Sequence, residues 1–426
     1  MRPIYLVLIA GWTAAAVFLA IVARSRKWIL AVAGLIVFAL ALSVLVVREN
    51  RQSDSPTPVG SFLKPHFDYL LTTTNKRFQG KGEPLPRSIE VEIYKKDLGF
   101  AVSMAWAPGT DDIFFTEREG AVRVLDGTEL VEEPCVELPV NATGENDGLL
   151  GIELSPTFDE DRFVYVYYTD SEENDSRLVR FTVSEDFRCE EPTTIIDGIP
   201  VSELKYKRHN GGQFEFVGGK LFVATGEGDD SRRAQDLTSL GGKILRLEAD
   251  GSPAPGNPFE DEEGAESVWA YGLRNPFGLA VGPEPELLYS VDNGPYCSDE
   301  INLIRPGANF GWGNGFKSSD CGGPGLGRDP TAPIHTWDPT IAPTDPYWYS
   351  GPLEEMDGLL MGDFNFGFLH RFEISADGTS IVSEDLFQVG SGYRILDVSN
   401  GPGGWPYLVA AGPGDAPGYI LRLVSH

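Results

Sequence analysis

Most of the chain alternates short apolar runs with polar, turn-forming residues. From about Ile89 onward, runs rich in Val, Ile, Tyr and Phe are separated by Gly, Asp, Asn and Pro. Examples of such runs span residues 113–116, 163–168, 221–224 and 287–291. Runs of this length and composition are typical of β-strands, and no long helical period competes with them. The pattern predicts an all-β domain over residues 89–426.

An arginine within a strand-like run recurs along this domain, usually with apolar neighbours. The six copies are Arg123, Arg180, Arg246, Arg305, Arg371 and Arg422. They are separated by 57, 66, 59, 66 and 51 residues. Intervals of about 60 residues fit a four-stranded blade with its loops better than a two-sheet sandwich. The spacing therefore predicts a six-bladed β-propeller.

The ends of a propeller ring must be joined to protect the strand edges. We expect the strand-like residues 90–94 to pair with residues 419–424 in the last blade. A closed ring also brings loops from every blade to the mouth of one central channel. Residues that are distant in the sequence then meet at that mouth.

The first 48 residues have a different pattern, with two long apolar stretches at about 3–23 and 28–47. Each has close to the 20 residues that cross a bilayer, so we predict a two-helix transmembrane hairpin. A polar stretch over residues 49–88 is predicted to be a tether. Arg24, Arg26 and Lys27 lie between the two stretches, which places that loop in the cytoplasm and the propeller outside the cell.

The chain is strongly acidic, with 63 Asp and Glu against 34 Lys and Arg and a formal charge of -29. Nucleic-acid binding depends on neutralising phosphates with positive side chains. We therefore exclude nucleic acid as a partner. Such an excess of carboxylates fits a very soluble exterior or one kept hydrated in concentrated salt.

Four cysteines agree with an oxidising compartment, and they allow three disulfide connectivities. Because each pair is near in sequence, we favour Cys135 with Cys189 and Cys297 with Cys321. Four buried thiols are the alternative.

The polar residues with the most chemical potential lie between His209 and Gly313. His209 precedes Gly211 and Gly212, whose missing side chains let another group approach the backbone closely. Imidazole accepts a proton near neutral pH, so His209 is the leading candidate for a general base. A structural turn residue is the alternative. Among the other histidines, His370 lies inside a predicted strand.

Two further groups in this region suggest ligand binding. Arg274 follows a strand-like run, and its guanidinium is suited to hold a carboxylate or an oxyanion, unless it is merely salt-bridged. The segments 293–295 and 299–300 bring amide, carbonyl and carboxylate oxygens together, which is the chemistry of a calcium site or of a metal-free acidic loop. Motifs for nucleotide or nicotinamide binding are absent from the sequence.

At these residues the chain resembles the glucose/sorbosone dehydrogenase family, which comprises aldose sugar dehydrogenases that use pyrroloquinoline quinone. The resemblance runs from about Leu98 to Val424 and rests on several motifs in order. These motifs are Gly144-Glu-Asn-Asp-Gly-Leu-Leu-Gly, Arg208-His-Asn-Gly-Gly, Ala234-Gln-Asp-Leu, Leu240-Gly-Gly-Lys-Ile-Leu-Arg-Leu, Tyr271-Gly-Leu-Arg-Asn-Pro, Asp299-Glu-Ile-Asn-Leu-Ile and Asn309-Phe-Gly-Trp. The family has a six-bladed propeller, in agreement with the spacing of the arginines.

The resemblance implies a role for each matching residue. His209 would take the proton of the sugar hydroxyl while hydride passes to the quinone, and Glu227 would be its acidic partner. The residues that would face the cofactor are Arg274, Asn275, Asn293 and Arg394. The residues that would bind calcium are Gly294 and Pro295 through their carbonyls, and at a second, structural site Glu300 and the carbonyl of Phe310.

Three positions depart from the family pattern. Asn365 stands where the family usually has a lysine on the cofactor, and Leu396 stands where it has a second arginine after Arg394. Gln213 replaces the arginine that follows the family's Gly-Gly. Because the cofactor carries three carboxylates, fewer cations should weaken its binding.

These observations predict a membrane-anchored, extracellular sugar dehydrogenase that oxidises aldoses and passes electrons to an unidentified acceptor. A second hypothesis is a propeller that has lost the cofactor and binds carbohydrate or protein outside the cell. A third is a calcium-dependent lactonase, which would need carboxylate and amide ligands at the channel centre. Site geometry rather than fold must separate the three.

Overall fold

The computed structural model describes residues 82–144, 146–203, 208–295, 298–313, 330–412 and 417–426. The two predicted transmembrane helices and most of the predicted tether lie outside these ranges. From residue 82 onward, the described segments contain no helix that is both long and apolar enough to cross a bilayer.

Short strands dominate the described residues and form six sheets, the blades. Two strands come first: β1 (Glu83–Pro84) and β2 (Ile89–Leu98). Blade 1 contains β3 (Ala101–Trp106), β4 (Ile113–Glu117), β5 (Ala121–Asp126), β6 (Glu129–Leu130) and β7 (Val136–Glu137). Blade 2 contains β8 (Leu149–Leu154), β9 (Phe163–Thr169), β10 (Asp175–Val183) and β11 (Cys189–Pro200). Blade 3 contains β12 (Gly211–Val217), β13 (Lys220–Thr225), β14 (Lys243–Leu247) and β15 (Val268–Tyr271).

Blade 4 contains β16 (Pro276–Val281), β17 (Leu288–Asp292), β18 (Asp299–Ile304) and β19 (His335–Trp337). Blade 5 contains β20 (Pro343–Tyr349), β21 (Gly358–Asp363), β22 (Phe368–Ile374) and β23 (Ile381–Gln388). Blade 6 contains β24 (Arg394–Asn400), β25 (Pro406–Ala411) and β26 (Gly418–Ser425). The helices described are short: α1 (Phe158–Asp161), α2 (Arg232–Gln235) and two 3-10 turns, Glu354–Met356 and Pro402–Gly404.

The blades form a closed ring. The first strand of each blade contacts the first strand of the next, in the order β3, β8, β12, β16, β20, β24 and back to β3. These six strands therefore line a central channel. Blade 6 is completed by β2, which pairs antiparallel with β26 from Ile89 opposite Ser425 to Leu98 opposite Gly418. The predicted all-β propeller with six blades and its ring closure are confirmed.

The arginine repeat marks one strand of every blade. Five of the six arginines lie on the third strand of their blade, and Arg305 directly follows the third strand of blade 4. Several of them stack on an aromatic ring of the same blade; the guanidinium of Arg180, for example, lies 4.0 Å from the ring centroid of Phe163. The even spacing thus reflects one structural unit repeated six times.

Apolar side chains fill the spaces between adjacent blades. Strand side chains alternate between the two faces of a blade, so each blade contributes to two interfaces. Between blades 1 and 2, for example, Phe114 and Val166 are fully buried in one cluster. Between blades 4 and 5, Val291 packs in one cluster with Leu359. These cores hold the blades rigidly, which allows the loops at their ends to form a site.

In every blade, the inner strand pairs with the second strand, and this pairing has a register shift near the start of the inner strand. In blades 1 to 3 the shifts follow Ala101, Leu149 and Gly211. In blades 4 to 6 they follow Pro276, Pro343 and Ile395. Irregularities of this kind bend a strand and redirect its side chains. His209, Arg274, Asn275 and Arg394 of the predicted site lie just before these positions.

Two further features concern the ends and the cysteines. Glu83 and Pro84, which fall within the predicted tether, form β1 and pair in parallel with β23 of blade 5. The propeller therefore begins a few residues before Ile89.

The predicted disulfide between Cys135 and Cys189 is present and joins blades 1 and 2. Cys297 and Cys321 lie outside the described residues.

Candidate active site

His209 lies immediately before β12, at the start of the inner strand of blade 3. It is 7% exposed and has a left-handed backbone, with φ of 57°. Its N–H donates to Oδ1 of Asn146, at 2.9 Å. A side chain on Gly226 would overlap the carbonyl of His209, so only glycine fits there. The local backbone fixes the imidazole at the end of the channel.

Both ring nitrogens of His209 face charged groups. Nδ1 lies 2.7 Å from Oε1 of Glu227, and Nε2 lies 2.6 Å from Nη2 of Arg274. A guanidinium only donates hydrogen bonds, so Nε2 must be the acceptor. Nδ1 then carries the proton and donates it to Glu227. His209 is therefore a neutral imidazole whose lone pair on Nε2 is directed towards Arg274.

Arg274 connects His209 to the backbone of the predicted calcium loop. Its Nη1 donates to the carbonyls of Asn293, at 2.5 Å, and Gly294, at 3.2 Å. The carboxylate of Asp292 accepts the N–H groups of Arg274 and Asn275. These contacts hold the Arg274 guanidinium between the loops of blades 3 and 4.

The other predicted cofactor residues in this region are also brought together. Oδ1 of Asn275 accepts the N–H of Gly211, at 3.0 Å, and the N–H of Asn293 donates to the carbonyl of Asn275, at 3.1 Å. Nδ2 of Asn293 donates to the carbonyl of Pro343 in blade 5. The structure thus places Asn275 and Asn293 beside Arg274, although more than 60 residues separate His209 from that arginine.

Arg394 lies on the side of the mouth formed by blades 5 and 6. Its guanidinium is 4.9 Å from the ring centroid of Phe364, and the neighbouring Asn365 donates through Nδ2 to the carbonyl of Thr340. Leu396 is buried in the apolar core at 5% exposure. The described residues show no direct hydrogen bond from Arg394 to His209 or Arg274. Arg394 is therefore placed at the same mouth but on the opposite set of loops.

The predicted structural calcium site corresponds to a buried, oxygen-rich place between blades 3 and 4. Asp292 and Ser290 on β17 lie opposite Glu300 and Asn302 on β18. Oγ of Ser290 and Oδ1 of Asn302 are buried without a hydrogen-bond partner among the described residues. Burial, followed by the charge of Asp292, raises the pKa of Glu300 to about 8.

Phe310 packs in the same core as Leu288 and Ile304, on the face of blade 4 that carries Glu300. Oxygens without donors, next to a carboxylate, are the ligands that a hard cation prefers. The residues present therefore fit a calcium ion, with the Gly294 and Pro295 carbonyls close by in sequence. Within the described ranges, no group of three or more His, Cys, Asp and Glu side chains is arranged to hold a metal ion by itself.

Four carboxyl groups on the inner strands were not predicted from the sequence. They lie on four of the six inner strands: Glu153 on β8, Glu215 on β12, Asp345 on β20 and Asp397 on β24. Burial raises the pKa of all four, that of Glu215 to about 8 and that of Asp397 to about 7. Neighbouring carboxylates raise it further for Glu153, Glu215 and Asp345. Each is an acidic residue within a strand and belongs to no recognisable motif. Aligning the blade sequences with one another would have shown that acidic residues recur on the first strands.

Taken together, a six-bladed ring with a carboxylate-oriented histidine and an arginine at its mouth defines a propeller enzyme site. The family model for glucose/sorbosone dehydrogenase matches residues 98–422. The chain therefore belongs to the glucose/sorbosone dehydrogenase family. The prediction of an oxidoreductase that acts on sugars is confirmed at the level of this family.

Individual relatives agree with this assignment. The chain is 28% identical over 366 residues to the aldose sugar dehydrogenase YliI of Escherichia coli (strain K12). The aligned region covers 79% of this chain and 93% of the relative. The PQQ-bound aldose sugar dehydrogenase of Streptomyces coelicolor is 30% identical, with a TM-score of 0.65 over 80% of this chain and all of that one. The apo form of the soluble aldose sugar dehydrogenase of Escherichia coli is 26% identical, with a TM-score of 0.71 over 79% of this chain and all of that one.

Proposed function

We propose that this chain oxidises aldose sugars at the anomeric carbon, with His209 as the general base and pyrroloquinoline quinone as the cofactor. The hydrogen bonds of His209 carry this proposal. A neutral imidazole with its lone pair on Nε2 and a carboxylate on Nδ1 is the arrangement of an oriented base. When bound, the quinone supplies a two-electron acceptor for hydride.

The proton of the anomeric hydroxyl passes to Nε2 of His209. In the structure this lone pair accepts a hydrogen bond from Arg274, so the sugar hydroxyl replaces the guanidinium at Nε2. The resulting imidazolium is stabilised by Glu227, which accepts the Nδ1 proton. Arg274 is then available for an anionic or quinone oxygen of the cofactor.

The cofactor would be held by Arg274, Asn275, Asn293 and Arg394. Arg274 and Arg394 lie on two sides of the channel mouth, and two guanidinium groups so placed suit a ligand that carries several carboxylates. Calcium would be held by the carbonyls of Gly294 and Pro295, and a second ion by Glu300 with the carbonyl of Phe310. Oγ of Ser290 and Oδ1 of Asn302, which have no hydrogen-bond partner within the described part of the chain, support the second site.

We further propose that residues 3–23 and 28–47 anchor the chain in the membrane with the propeller on the extracellular side. Their length and low charge, and the basic residues between them, support this topology. Electrons would leave the propeller to a separate acceptor.

A titration of the cofactor tests the enzymatic proposal. We expect the full-length chain, purified in detergent, to bind pyrroloquinoline quinone saturably in calorimetry when calcium is present. It should then reduce an electron-accepting dye when aldoses are added. His209→Gln should bind the cofactor but turn over no sugar, whereas His426→Gln at the chain end is the matched control and should remain active.

Two positions support the alternative of a binding module without a cofactor. Asn365 is a neutral amide that is engaged with Thr340, and Leu396 is buried, so neither adds a cation to the mouth. The same titration separates the two proposals. No saturable cofactor binding and no dye reduction would leave the binding module as the better function.

A further inference from the structure

His370 is a second buried histidine with a carboxylate at each ring nitrogen. It lies on β22 of blade 5 and is 1% exposed. Nδ1 is 2.7 Å from Oε1 of Glu384, and Nε2 is 3.0 Å from Oδ2 of Asp363. Carboxylates only accept, so both ring nitrogens carry protons. His370 is therefore a buried imidazolium paired on both sides.

Asp363 also determines the shape of the turn that follows it. It is the last residue of β21, and its Oδ1 accepts the N–H groups of Phe366, at 2.5 Å, and Gly367, at 2.9 Å. Its Oδ2 accepts the N–H of Phe368, at 3.2 Å. The turn at 364–367 is thus held by the same carboxylate that binds His370.

This turn forms part of the site mouth. Its Phe364 ring lies under the guanidinium of Arg394. The N–H groups of Phe364 and Asn365 donate to the carbonyls of Ala342 and Ile341, at 3.0 and 3.1 Å. The segment before β20 therefore takes its position partly from the turn.

The same segment leads to the catalytic candidates. The N–H groups of Ile341 and Ala342 donate to Oδ2 of Asp299, at 2.6 and 2.8 Å. Oδ1 of Asp299 accepts the N–H of Gly294, at 2.7 Å. The Gly294 carbonyl accepts from Arg274, which binds His209. A continuous series of hydrogen bonds therefore joins the turn to the base.

We propose that His370 is a positioning residue for cofactor binding, which acts through Asp363 on the turn 364–367 and on Arg394. This inference rests on the proposed quinone-dependent function. His370 does not reach the mouth itself. Its charge keeps the Asp363 carboxylate paired and oriented, and Asp363 keeps the turn in place.

The physical basis is the cost of an unpaired buried charge. If His370 loses its proton, either the fully buried Asp363 or the partly exposed Glu384 loses a donor, and the loss is expensive away from water. The groups that face His370 are Asp363 on β21, Glu384 on β23, and from β19 His335 and Trp337. Nε2 of His335 is 3.4 Å from Oε2 of Glu384, and Nε1 of Trp337 donates to Oε1 of Glu384.

The pH dependence follows from these contacts. Burial lowers the pKa of His370, but the hydrogen bonds that His370 donates to Asp363 and Glu384 outweigh burial and raise it to about 9. The folded-state pKa lies above the ordinary value of 6.5, so the pairing is complete at neutral pH and is lost as the pH rises through about 9.

The test compares two titrations on the full-length chain. Histidine-selective NMR measures the pKa of His370, and calorimetry measures the Kd for pyrroloquinoline quinone from pH 6 to pH 10.5. We expect a constant Kd at neutral pH and a rise of up to about tenfold per pH unit above the His370 pKa. A Kd that does not change across the His370 transition overturns the proposal, even if no variant folds.

Two variants on β23 make the test specific. Glu384→Gln removes one of the two carboxylates that pair with His370, so it should lower the pKa of His370. The pH at which cofactor binding begins to weaken should fall by the same amount. Asp385→Asn is the matched control, because it removes a charge from the next residue, which pairs with Arg371 on the surface. Equal shifts in both variants, or a shift of the pKa without a shift in binding, contradict the proposal. No binding at any pH contradicts the proposed function as well.

Discussion

Nη2 of Arg274 lies 2.6 Å from Nε2 of His209, the nitrogen to which the substrate hydroxyl donates in the proposed mechanism. The contact determines the tautomer of the base, because the guanidinium can only donate. If ligands break this contact, His209 and Arg274 both become available to them at the same time. Substrate and cofactor binding should therefore both change the surroundings of one imidazole.

The charge of Glu227 is expected to contribute to turnover more than to binding. Glu227→Gln keeps an acceptor for Nδ1–H but removes the negative charge that stabilises the imidazolium. We expect kcat to fall about 100-fold with little change in KM. Steady-state kinetics with an aldose and a dye measure both, and Glu248→Gln, at a surface pair with Lys220, is the control. A kcat within twofold of the wild type would exclude this role for Glu227.

The carboxyl groups on the inner strands, such as Glu215, should make the free energy of unfolding depend on pH. The pKa of Glu215 is raised from 4.5 to about 8, so its contribution to stability is present below about 4.5 and is lost as the pH rises through about 8. Glu215→Gln should raise the free energy of unfolding at pH 8 by at least about 1.4 kcal/mol, the equivalent of one pKa unit. At pH 4.5 it should give no such gain.

Denaturant unfolding at the two pH values measures this difference. Glu190→Gln on the exposed strand β11 changes the same charge at the surface and should have no comparable effect. The same gain at both pH values would show that the charge of Glu215 is not responsible.

Calcium should stabilise the interface between blades 3 and 4. No described residue donates a hydrogen bond to Oγ of Ser290 or Oδ1 of Asn302, and Glu300 lies on the same face of the blade. At a calcium concentration 100 times the Kd, binding should add about 2.7 kcal/mol to the unfolding free energy, seen as a higher Tm that a chelator reverses. Glu300→Gln should abolish this response, whereas Glu286→Gln on an exposed loop of the same blade should keep it. An undiminished response in Glu300→Gln would place the ion elsewhere.

A restored cation at position 365 should strengthen cofactor binding. Asn365→Lys adds a positive charge beside Phe364 and Arg394, where a carboxylate of the cofactor would lie. We expect the Kd for pyrroloquinoline quinone to fall about tenfold, or about 1.4 kcal/mol. Val382→Lys adds the same charge at a position on β23 that is 60% exposed. If both variants tighten binding equally, net charge rather than the local contact is the cause.

The blade count was predictable because one feature repeats at one position of every blade. Arg123 and Arg422 are far apart in the sequence, yet each lies on a third strand, so their spacing measured the structural unit. The meeting of His209, Glu227 and Arg274 was also predictable, since each lies in a recognisable motif at the end of a strand. In these cases local sequence carried the relevant information.

The remaining features depend on how neighbouring blades align, which local patterns do not contain. Glu153 and Glu215 lie in unremarkable strand sequences, and only the ring brings them together. The sequence predicts that His370 lies in a strand, but its two carboxylate partners come from the flanking strands of the blade. The direct bond between Arg274 and His209 likewise depends on the relative position of two blades.

The pairing of β2 with β26 affects how this protein is made. The outer strand of blade 6 is synthesised before blade 1, whereas its three other strands are synthesised after blade 5. No nascent chain can therefore contain a closed ring until Ser425, which pairs with Ile89, has left the ribosome. Until then β2 lacks this partner strand, so closure of the ring depends on contacts between residues far apart in the sequence.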